Sequence, residues 1–220
     1  MLRKAVADGH TWYHLLSGMD YPISSREERD RFFATTGWKA FLSFVHESQL
    51  ADIEEHRLNR YHLNDVLNLR TSILGKIASR LLSRSQQAAR SMGIRLRPAL
   101  GIKVWKGANW FSIHHDVAQY TLGYLDAHPA YDRRFRYTSC CDEVYFHTLL
   151  MQSPFAPAIC HDDLRYIRWQ GNASPEWLDE SDFTPMMQSA NLFCRKIHPE
   201  ISRELVARID RKISKHTLQT

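Results

Sequence analysis

Aromatic or β-branched runs alternate with stretches whose apolar positions recur every three to four residues, the respective marks of strands and amphipathic helices. Residues 11–16 (TWYHLL) form a strand-prone run that closes on the turn-type sequence Ser17-Gly18-Met19-Asp20. Ser24-Ser25 followed by Glu27 and Glu28 predicts a helix start, with a serine cap and acids on the first turn. Residues 41–45 predict a second short strand. Between Asp65 and Arg90, Ile73, Leu74, Ile77, Ala78, Leu81 and Leu82 recur at helical spacing, while Lys76, Arg80 and Arg84 recur every fourth residue on the other face. This predicts a basic amphipathic helix ending by Gly93. Residues 103–105 and 110–113 are strand-like, 117–125 and 143–150 helical, 164–169 strand-like, and 181–189 and 200–213 helical. The mixture predicts an α/β domain, with no internal repeat and no obvious linker.

Composition narrows the class. The 220 residues are 44% hydrophobic and 24% charged, as in a globular protein, and nine Gly with eight Pro exclude collagen-like or low-complexity readings. No stretch approaches the ~20 apolar residues of a membrane-spanning helix. The first residues, MLRKAVADGHTWYH, lack the apolar core of a secretory signal, so the expected location is cytoplasmic. Cys140, Cys141, Cys160 and Cys194 show no metal-type spacing and read as free thiols.

Charge is concentrated. The net charge is +5, yet residues 57–97 carry nine basic residues and one acid, Asp65, a local balance of +8. Such a stripe suits phosphates on a nucleic acid, a membrane or a diphosphate-bearing substrate, or is a solvated helix face. No aromatic residue interleaves between Asp65 and Arg97, so single-strand base stacking has no support and no nucleic-acid partner is expected.

For chemistry, His10 with His14, or His114-His115-Asp116, lack the second cluster that a metal centre needs. No Asp-x-Asp occurs, and LRTSILGKI (69–77) lacks the features of a phosphate-binding P-loop. Asp142-Glu143 precede a helical stretch, where an acid serves either as a cap or as a general base.

Five motifs in order carry a family resemblance: LLSGMDYPISSREE (15–28), KGANWFSIHHD (106–116), TSCCDEVYFHTLL (138–150), LRYIRW (164–169) and SPEWLDESDF with NLFCRKI (174–197). Together they resemble the core 2/I-branching β-1,6-N-acetylglucosaminyltransferase family, which includes peptide O-xylosyltransferases. The resemblance implies the C-terminal portion of a GT-A-type α/β glycosyltransferase domain, a mixed sheet flanked by helices over 1–220. The strands that hold uridine in the family, which precede L-S-G-x-D-y-P, are expected to be absent. It implies an inverting transfer of N-acetylglucosamine or xylose from a UDP-sugar to a hydroxyl of a glycan or lipid-linked saccharide.

Site roles follow from the same match. Glu143 corresponds to the general base, with Asp142 beside it. Lys196 falls on the basic position of F-x-x-K and would face the donor diphosphate, so that no metal cofactor is needed. A second basic position falls near Ala173, leaving Arg165, Arg168 or Arg195 as substitutes on the donor side. Asp20 lies in the turn near the expected donor, or merely caps that turn. Asn109 and Trp110 lie in the stretch that lines the acceptor side, where the Trp110 ring either stacks on a sugar or belongs to the core. Cys141 stands where the family has proline. The residues also leave open a non-catalytic remnant, or a basic module using 57–97 to make peripheral contact with the inner face of a membrane.

Overall fold

The computed structural model describes residues 1–63, 71–98, 100–171 and 174–217. Residues 65–70 of the basic segment and Ala173 lie outside the described residues. Along the chain run α1 (Leu2–Ala7), β1 (Trp12–Leu15), β2 (Asp20–Pro22), α2 (Arg26–Thr35), β3 (Ala40–Leu42), α3 (Leu50–Ile53) and α4 (Ile73–Ser91). There follow β4 (Phe111–His114), α5 (His115–Ala127), α6 (Pro129–Phe135), α7 (Asp142–Leu150), β5 (Ile159–Cys160), β6 (Arg165–Ile167), α8 (Phe183–Gln188), β7 (Phe193–Arg195) and α9 (Arg203–Thr217). The fold is mixed α/β.

The chain forms two compact units, Met1–Ser43 with Trp110–His115 and Ala158–Thr220, and Phe44–Asn109 with Asp116–Pro157. The first holds both sheets. One has the order β1-β4-β3-β5, antiparallel except for the β3–β5 pair. The other is β2-β7-β6, with β2 antiparallel and β6 parallel to β7. Alternation along β7 directs its side chains to two cores. Phe193 joins Phe33, Phe41, Leu164 and Leu192, with Trp12 against them. Cys194 joins Ile23, Leu178, Met186 and the α9 residues Leu205 and Ile209, spaced i, i+4 on one helix face. The α2 start matches the sequence reading: the Ser25 side chain accepts from the Glu28 amide and Glu28 caps the Ser25 amide in return.

The second unit is helical. Val144, Leu149 and Leu150 of α7 are buried, as are Leu58, Val117 and Phe135. Tyr131, Phe135 and Tyr145 pack ring to ring at 4.9–5.1 Å. Residues 103–105 do not form the predicted strand. The amide and carbonyl of Trp105 are satisfied instead by the Thr148 hydroxyl, at 3.0 and 3.1 Å, which docks the segment on α7.

A second correction concerns α4. Ser72 caps it and Gly93, at φ +76, follows its end, as the sequence suggests. Its buried residues, however, are Gly75 and Gln86, and Ile73, Leu74, Ile77 and Leu81 are exposed. The apolar stripe of this amphipathic helix therefore faces outward, and the Gln86 amide takes the buried position by bonding the Tyr61 amide and carbonyl.

Candidate functional site

The second unit assembles a carboxylate cluster at the start of α7. Acids fit there because the amides of a first helical turn carry partial positive charge. The Glu143 carboxylate, about one third exposed, receives two cations on the same oxygen: Arg57 Nη1 donates to Oε2 at 2.7 Å and Lys106 Nζ lies 3.2 Å from it. Arg57 comes from the π-helical turn Glu54–Leu58 that follows α3. Lys106 comes from the segment that Thr148 docks, which is held further by Gly107 N donating to the Glu143 carbonyl at 3.0 Å and by Val45 N donating to the Lys106 carbonyl at 2.9 Å. Asn109, in the same segment, donates from Nδ2 to Asp142 Oδ2 at 2.8 Å. Asp142, Glu143 and Asn109 are thus brought together, while the Asp142 carboxylate is committed to Asn109.

In the turn before α7, Cys141 has φ −66 and Cys140 before it has φ +47. Burial, then the neighbouring Asp142 charge, push the Cys141 thiol above its ordinary range, so it is not a thiolate nucleophile at neutral pH.

The first unit holds the remaining candidates. Lys196 is half-buried; its Nζ donates to Ser174 Oγ at 2.6 Å and lies 4.6 Å from the centre of the Trp177 ring. A partly exposed ammonium with one neutral hydroxyl partner keeps donors for an anion. Arg195 differs. Its guanidinium is buried, paired with Asp20 at 2.6 Å, donates to Ser17 Oγ at 2.9 Å and stacks 3.6 Å from the centre of the Trp110 ring. Arg165 is buried too, and donates to the carbonyls of Asp163 and Leu15. Its burial lowers its pKa, with Asp163 opposing the shift.

These contacts show what holds five of the candidate residues. Arg165 and Arg195 secure the loop that enters β2 and are not open to a diphosphate. Asp20 caps that loop, accepting from the Ser17 amide at 2.7 Å, with its side chain fully buried. One face of the Trp110 ring lies under the Arg195 guanidinium. Arg168 is likewise occupied, by Asp182 at 2.8 Å and Asp179 at 3.2 Å. The two cations on Glu143 were not singled out from the sequence. Lys106 opens a quoted motif and was within reach; Arg57, 86 residues from Glu143, carries no local signal.

The described residues contain no group of three His, Cys, Asp or Glu placed to hold a metal ion.

The family model described as Core-2/I-Branching enzyme matches residues 1–191. Among curated proteins, the chain is similar to "Xylosyltransferase 2" of Bos taurus, 25% identical over 214 residues, which is 89% of this chain and 22% of that protein. It is similar to "Xylosyltransferase 2" of Rattus norvegicus, 26% identical over 223 residues, 92% of this chain and 23% of that protein. "Xylosyltransferase 1" of Homo sapiens is 25% identical over 128 residues, 50% of this chain and 13% of that protein. The chain spans less than a quarter of the length of these relatives.

Proposed function

We propose, from the premise that the chain belongs to the Core-2/I-Branching enzyme family, that it carries the acceptor-activating part of an inverting glycosyltransferase. Family membership and the xylosyltransferase relatives support glycosyl transfer as the reaction class. The observation that carries the reading is the Glu143 carboxylate at the start of α7, with Arg57 and Lys106 both on Oε2.

In this reading the acceptor hydroxyl attacks the anomeric carbon of a UDP-sugar as its proton passes to Glu143. The bond from that carbon to the diphosphate oxygen breaks and UDP leaves. Arg57 and Lys106 hold Oε2 and balance its charge, which assigns Oε1 to the acceptor. Asp142 positions Asn109 rather than taking the proton. Charge building on the leaving diphosphate is met by Lys196, without a metal. Of the two donor sugars, the names of the relatives favour xylose over N-acetylglucosamine.

The test is transfer from UDP-xylose and, separately, UDP-N-acetylglucosamine to a panel of serine-containing peptides and glycosides, with the product linkage read by NMR. A β-linked xyloside from the α-linked donor is the expected product. Retained α configuration overturns the one-base mechanism, and transfer of N-acetylglucosamine alone overturns the donor assignment.

A further inference from the structure

The basic helix α4 presents a face that the fold does not use. At roughly 100° per residue, Ile73, Leu74, Ile77 and Leu81 share one stripe, and their exposures are 78, 79, 46 and 60%. The helix is held from elsewhere on its circumference, by buried Gly75 and Gln86, the latter tied to Tyr61 through two hydrogen bonds of 2.7 and 3.1 Å. Lys76, Arg80 and Arg84 run along the edge of the apolar stripe rather than opposite it, and all three are exposed. Among the described residues no ion pair reaches any of them, and the span 73–91 contains no acid at all.

Scattered exposed aliphatics are ordinary; four in one stripe, bordered by one sign of charge, are a patch that asks for a partner. A second copy of the same face would bring like charges together across a two-fold interface, which is unfavourable. An anionic lipid surface answers both features: the stripe enters the boundary between headgroups and acyl chains, and the flanking cations meet the phosphates. We propose that α4 is an in-plane docking helix that holds the protein peripherally on an anionic membrane. No helix among the described residues is long and apolar enough to cross a membrane. The inference stands apart from the transfer reaction and uses none of its residues.

Co-sedimentation of the full chain with vesicles tests it, using phosphatidylcholine alone or with phosphatidylglycerol. Binding is expected only with the anionic lipid and should weaken as salt rises. The Lys76/Arg80/Arg84→Ser variant should lose about 100-fold in partitioning, each cation contributing about five-fold. An Ile77→Ser/Leu81→Ser variant should lose binding too, and unchanged circular dichroism would show that α4 persists in both. Absence of binding to either vesicle, equal binding to both, or retained binding in the triple variant overturns the proposal. So does a dimer seen by sedimentation velocity that the Ile77→Ser/Leu81→Ser pair dissolves, since that assigns the stripe to a second copy.

Discussion

Asp20 and Arg195 face each other across β2 and β7, carboxylate to guanidinium at 2.6 Å, with side chains 0 and 6% exposed. They are register partners from opposite ends of the sequence, and both also hold Ser17, through its amide and its hydroxyl. The pair fastens the L-S-G-x-D loop to the sheet whose next residue is Lys196. A buried ion pair is weak evidence of net stabilisation, but removing one partner strands the other charge in a low-dielectric interior.

Asp20→Ala or Arg195→Met should therefore lower the unfolding free energy by about 3–5 kcal/mol, read from urea denaturation. A loss of under about 1 kcal/mol, the range of an exposed pair, would contradict the buried geometry.

Much of this was legible in the sequence where the signal is local. The serine cap of α2, the helix at α7 and the strand at β1 each rest on a few adjacent residues, and each formed within a residue or two of its expected place. β2, β5 and β7 are two or three residues long, too short for alternation to register, and exist because neighbouring strands complete them. Asp142-Glu143 and Lys196 were legible as candidates, because each sits in a short run of adjacent residues. The burial of Arg165 and Arg195 was not, because a basic residue reads as exposed until its distant partner is known. The outward stripe of α4 has the same cause: periodicity shows that a helix has an apolar face, never which face the fold uses.

Cys194 and Cys140 should separate in their chemistry. Burial pushes the Cys194 thiol up to about 12, with the Asp20 charge next in effect, while Cys140 is exposed. Because the thiolate is the reactive form, iodoacetamide at pH 8 should modify Cys140 in the native protein and Cys194 only after denaturation, as read by mass spectrometry. Equal rates in the native state would contradict the packing of β7 beneath α9.

Arg57 and Lys106 act through Glu143 and are positioning residues. Arg57→Met and Lys106→Met should each lower kcat by up to about 10²-fold, the scale of a misplaced reacting group, with KM for the UDP-sugar nearly unchanged. A change confined to KM would show that they hold the donor instead.

Lys196→Ala should act on the other side of the reaction. The expected loss in kcat is about 10²–10³-fold, as for a donor that stabilises developing negative charge, and transfer by the unaltered protein should persist in excess chelator. Loss of transfer on chelation, with recovery on adding manganese, would contradict diphosphate stabilisation by Lys196 alone.

The assignment of Glu143 as the acceptor base is tested most directly by turnover of Glu143→Gln with UDP-xylose. The substitution keeps the size of the side chain and removes its ability to take a proton, together with the charge that Arg57 and Lys106 pair with. The account predicts a fall of about 10²–10⁴-fold, with UDP binding by calorimetry retained. Turnover within a few-fold of the unaltered protein would contradict it.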